Sequence, residues 1–97
     1  MPDAQLEAER QRLEAAAAKA HVEAEKALRE HAAEVQKARS YYDDAEEKQA
    51  ISPAELQSAR AAIDEADRDL RATVRETLAS IDAQTQEAIS AMTSQGD

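Results

Sequence analysis

The sequence predicts an all-α fold: an antiparallel hairpin of two long amphipathic helices that assembles further into a coiled coil or four-helix bundle. Three observations carry this expectation. The stretch Ile51-Ser52-Pro53-Ala54-Glu55, near the middle of the chain, ends one helix and starts another. On both sides of it, apolar residues recur at alternating steps of three and four, the coiled-coil period. Folding the chain at Ile51 then sets large side chains of one arm opposite small ones of the other, as close interdigitation requires.

The first arm is expected over residues 4–50. Pro2 and Asp3 suit a helix entry, since an acidic residue there favours the positive end of the helix dipole. Its apolar stripe runs through Leu6, Leu13, Ala17, Ala20, Ala24, Leu28, His31, Val35, Ala38, Tyr42 and Ala45. The outer faces carry charge pairs one turn apart, among them Arg10–Glu14, Lys19–Glu23 and Asp44–Lys48, each contributing about 0.2–0.5 kcal/mol. At ~1.5 Å per residue such a helix is far longer than an average globular one, which favours a coiled coil or elongated hairpin.

The turn covers residues 51–53. Ser52 is an N-cap whose hydroxyl accepts the Glu55 backbone N–H, and the Glu55 carboxylate can reach back to the Ser52 N–H. Pro53 falls at the first helical position, where its missing N–H is not needed. The residue before a proline is pushed out of the α region, so the incoming helix must stop by Ile51.

The second arm is expected over residues 53–93, with a frayed end at 94–97 and Gly96 as a stop signal. Its stripe reads Leu56, Ala59, Ile63, Ala66, Leu70, Val74, Leu78 or Thr77, Ile81, Thr85, Ala88 and Met92. Across the fold the expected partners include Tyr42 with Ala59, Ala38 with Ile63, Val35 with Ala66, Ala24 with Leu78, and Ala20 with Ile81. Asp64–Arg68 and Asp67–Arg71 support the helix, but no basic residue follows Arg75.

Composition bounds the function. The 97 residues make one domain, 1–97, and 24 of them are alanine, with no Phe, Trp or Cys. So few large side chains build a thin bundle rather than a deep core. They also make self-association or docking on a helical partner the expected remedy for a marginal hairpin. A net charge of −9 argues against nucleic acid and against anionic membrane surfaces. Without a basic segment leading an apolar run, the expected location is cytoplasmic, with export that needs no cleaved signal as the alternative.

Two places are candidates for partner binding. Tyr41, Tyr42, Asp43, Asp44, Glu46 and Glu47 gather both aromatic residues with four carboxylates beside the bend, a patch suited to a partner with a basic surface. Leu78, Ile81, Ile89 and Met92 form a stripe near the chain end that serves either as core against Leu6 and Leu13 or as an open contact. For metal, His21 with Glu25 and His31 with Glu34 have chelating spacings. The two histidines fall on different sides of the helix, however, and no Glu-x-x-His pair is present. The expectation is therefore no metal, no cofactor and no catalytic residue.

The run Leu56, Arg60, Ile63, Asp64, Asp67 and Leu70 resembles the opening helix of the all-helical chorismate mutases. That resemblance would assign Arg60 to a substrate carboxylate, but Thr77 stands where the family has a further Arg. In length and architecture the chain is also similar to the small Trp-x-Gly hairpins exported by type VII secretion, although it has no Trp and turns on Ser-Pro-Ala-Glu. Tyr42-x-x-x-Glu46 matches the spacing of that family's export signal, but it precedes the bend. The reading that follows is a non-catalytic protein–protein interaction or assembly module: an adaptor, scaffold or chaperone-like protein. The alternatives are a small exported or phage-type structural hairpin, or a metal-binding or enzymatic bundle.

Overall fold

A computed structural model describes residues 3–95, without the side chain of Gln95; Pro2 as an entry residue and Gly96 as a stop signal lie outside the described residues. Two helices, α1 (Asp3–Glu47) and α2 (Pro53–Gln95), form a helical hairpin, with no strand among the described residues. The chain divides into two compact units. The bend unit is Lys26–Thr73; the terminal unit joins Met1–Glu25 to Val74–Asp97.

In the bend unit α1 stops at Glu47, short of the residue 50 expected. The cause is Gln49, whose φ of 55° puts it in the left-handed region. The Gln49 N–H donates to Glu46 O at 3.0 Å, and the Ala50 N–H donates to Ala45 O at 2.9 Å. Together they make a Schellman motif, which satisfies carbonyls that the last turn would otherwise leave open. Glycine ordinarily fills that position, and for a side-chain-bearing residue the left-handed conformation costs roughly 1–2 kcal/mol. The entry to α2 is built as expected. The Glu55 N–H donates to Ser52 Oγ at 3.2 Å and the Leu56 N–H to Ser52 O at 2.9 Å, so the Ser52 half of the capping box forms. α2 runs to Gln95, two residues past the expected boundary.

Every stripe residue of α1 from Leu6 to Ala45 is half-buried, as the periodicity implies. On α2 the stripe departs from expectation at one level. Ala66 and Leu70 are exposed, and Asp67 is half-buried in the place assigned to Ala66. Polar bonding explains the exchange: Asp67 Oδ1 lies 3.0 Å from His31 Nε2 and 3.0 Å from Arg71 Nε. Beyond it, Leu78 rather than Thr77 takes the inner position.

Ion pairs check the register within each unit. In the bend unit Arg39–Asp64 (2.8 Å) flanks the expected pair Ala38/Ile63, and Arg60–Asp43 (2.6 Å) flanks Tyr42/Ala59. In the terminal unit His21–Asp82 (2.9 Å) flanks Ala20/Ile81. Each bridge sits one residue past its stripe pair on both helices, so the chain folds in the expected register at all three levels. Of the charge pairs expected along single helices, Asp44–Lys48 and Asp67–Arg71 form. Arg10 instead pairs with Glu7, and Asp64 is drawn across to Arg39.

Candidate functional site

The bend patch stands on α1, one to two turns before the Schellman cap. Tyr42 is half-buried in the stripe, while Tyr41 is 69% exposed. Their rings meet edge to face, with centroids 5.1 Å apart and planes at 88°. That arrangement suits the aromatic quadrupoles and props the Tyr41 ring outward.

The carboxylates of this patch are less available than their sequence order suggests. Arg60, half-buried on α2, reaches Asp43 at 2.6 Å and both Glu46 oxygens at 3.2 and 3.3 Å. Donating to Glu46 and then to Asp43 pushes the Arg60 guanidinium further into its charged form. Asp44 holds Lys48 at 2.9 Å. Of the four acidic residues, Glu47 alone is without an ion pair, and it lies exposed at the end of α1. Arg60 was invisible as a member of the patch in the sequence, because its partners come from the other helix. The same contacts occupy the guanidinium that the chorismate mutase resemblance would assign to a substrate carboxylate.

Below the patch, two open grooves share Glu46, Pro53 and Leu56. One extends over Ile51 and Ser52, the other over Gln57 and Asp64. Leu56, 7% exposed, is their common floor.

In the terminal unit Leu78, Ile81, Ile89 and Met92 are all half-buried. The structure divides them: Ile89 and Met92 line an open cleft with Leu6, Asp3, Glu7, Arg10 and Thr93, and Leu78 and Ile81 do not. Three of the polar groups around this cleft are already engaged. Thr93 Oγ1 donates to Ile89 O at 3.0 Å, and Arg10 bonds Glu7, which holds that carboxyl below its usual range.

The histidines turn across the hairpin rather than along α1. His21 Nε2 lies 2.9 and 3.0 Å from the two Asp82 oxygens, and His31 Nε2 lies 3.0 Å from Asp67. The second bridge is the more shielded, its side chains 20% and 23% exposed against 39% and 51% for the first. Burial pushes the Asp67 carboxyl up, but Arg71 and His31 together hold it below the ordinary carboxylate range. Among the described residues no three His, Asp or Glu side chains converge as a metal site would need. No described helix is long and apolar enough to cross a membrane.

Compared with known proteins, the chain matches no family model, no curated protein and no solved structure.

Proposed function

We propose that this chain is a non-catalytic helical interaction module that acts by covering its apolar faces with another protein surface, its own or a partner's. One observation carries the reading: among the described residues only Leu56 is buried, while Leu, Ile, Val and Met side chains along both helices stay half-exposed. Burying one leucine contributes about 1.5–3 kcal/mol, whereas ordering the backbone costs roughly 1–2 kcal/mol per residue. A hairpin held this thinly gains most of its remaining stability when a second surface removes the stripe flanks from water. Ion-paired arginines and hydroxyls bonded to their own helix leave little for chemistry and much for contact.

Light scattering over a hundred-fold concentration range, with helicity followed by circular dichroism, tests this. The expected result is helicity and melting temperature that rise with concentration, as mass action requires when association stabilises the folded state. A monomer with a sharp, concentration-independent melt, unchanged by any helical partner, would remove the proposal.

A further inference from the structure

The bend unit has two unlike sides. At about 100° per residue, Arg39, Asp43, Glu46, Arg60, Asp64 and Arg71 all fall on one flank of the apolar stripe. That flank carries all the Arg–carboxylate bridges between its helices. The other flank has none. It carries Tyr41 (69% exposed) and Leu70 (39% exposed), two of the three large apolar residues left exposed among those described. Exposed alanines, Ala27, Ala62 and Ala66, lie beside them. The charges on this flank are mainly carboxylates, Glu30, Glu34 and Glu55. Its lysines are already taken: Lys37 lies 3.4 Å from Glu34 and Lys48 2.9 Å from Asp44.

The geometry points to this unbridged flank as the docking face for a basic amphipathic helix of another protein, an inference that rests on the interaction-module reading above. Small residues let a third helix approach closely, and Tyr41 and Leu70 supply its apolar anchors. With the register found here they stand roughly ten residues apart, ~15 Å, a span that three turns of helix cover. Charge selects the occupant. A second copy would bring Glu30 and Glu55, which Lys37 and Lys48 leave unneutralised, against like charges, whereas Lys or Arg beside an apolar stripe complements them. The three arginines that form salt bridges in this unit, Arg39, Arg60 and Arg71, all lie on the other flank.

The test uses the full chain, isotopically labelled, with two synthetic amphipathic peptides. Both carry Leu at helical spacing, one with Lys on its flanks and the other with Glu. The Lys peptide is expected to bind, with amide shifts concentrated at Tyr41, Ala66 and Leu70 and an affinity that falls as salt is added. Tyr41→Ser with Leu70→Ser should weaken it by about ten-fold or more. Val22→Ser, also an exposed apolar position (63%) but in the terminal unit, should leave it unchanged. Equal binding of the Glu peptide, or shifts centred on Arg39, Arg60 and Asp64, would overturn the inference. So would an association of the chain with itself that Tyr41→Ser and Leu70→Ser disperse; that result would assign the flank to a second copy and leave the interaction-module reading standing. A chain that neither self-associates nor binds either peptide would remove both.

Discussion

The bend unit and the terminal unit are built from the same two helices by different means. In the bend unit, Arg39–Asp64, Arg60–Asp43, Arg60–Glu46 and His31–Asp67 cross between the helices, and a Schellman motif and a serine N-cap fix the turn. In the terminal unit, His21–Asp82 is the one polar bridge between the helices among the described residues. The work there falls to Leu6, Leu13, Val74, Leu78, Ile81, Ile89 and Met92, none of them buried. Large side chains alone do not make a core: the bend unit, whose helices are joined by the turn, contains the one residue that is buried among those described. A short loop brings its flanking residues together at little entropic cost, while segments distant in sequence depend on the area they cover.

The largest effect that separates the units is expected at that buried residue. Leu56→Ala should cost about 2–4 kcal/mol, the loss of a buried leucine plus the cavity it leaves. Ile81→Ala, at a half-buried site of the terminal unit, should cost about half as much, because part of its side chain already faces water. Urea unfolding followed by circular dichroism measures both. Equal losses would mean that the terminal stripe is covered more completely in solution than in the isolated chain, which would itself reveal a partner surface.

Next in size is the cap. Gln49→Gly removes the left-handed penalty of a side-chain-bearing residue, and the greater freedom of glycine in the unfolded chain offsets part of the gain. A net stabilisation of about 0.5–1 kcal/mol is expected, a rise of a few degrees in melting temperature. A fall would show that the Gln49 side chain contributes more at the bend than its strain costs.

This cap also marks where the sequence stopped being legible. Ser52, Pro53 and Glu55 announce the start of α2 through residue types that serve almost nothing else, and the turn is where they put it. The end of α1 has no glycine to announce it, so the proline restriction was the nearest signal and placed the boundary late. On α1 the three- and four-residue steps named every half-buried stripe position. On α2 they erred at Leu70, which is exposed, and at Ala66 and Asp67, neighbours that differ by one step of rotation. Apolar patterning chooses the alanine; the bond across to His31 chooses the aspartate. For the bend patch, Tyr41 and Tyr42 were readable as a pair of unlike exposure. The loss of Asp43 and Glu46 to Arg60 was not, because a bridge between helices is visible only once the register is known. With the register in hand, stepping one residue past each large–small pair recovers three of the bridges.

Acid should act on the bend unit through Asp67. Its folded carboxyl lies below the ordinary range, so the folded state is favoured above the unfolded value, near 4. That contribution is lost as pH falls through the lower folded value. Relative to the intrinsic exchange rate at each pH, amide protection in the bend unit should therefore fall more steeply with acid in the wild type than in Asp67→Asn, with the two converging once the carboxyl is protonated. Curves that stay parallel would mean that the bonds to Arg71 and His31 hold no preference for the charged form.

The smallest expected effect is at Arg60, and it sharpens the comparison most directly. Its guanidinium joins α2 to Asp43 and Glu46 at a solvent-facing edge, where water and salt compete with each bond. Arg60→Gln should lower the melting temperature by less than Gln49→Gly raises it, and 1 M salt should shrink the difference further. Its structural consequence should exceed its thermodynamic one. With Arg60 gone, Asp43 and Glu46 turn outward, and the bend patch regains the acidic surface that its sequence implied. If the basic peptide keeps its place on the Tyr41–Leu70 flank in Arg60→Gln, recognition depends on the side that the bridges leave empty. Movement of the peptide onto Asp43 and Glu46 would show that the arginine selects the docking face by withholding those carboxylates.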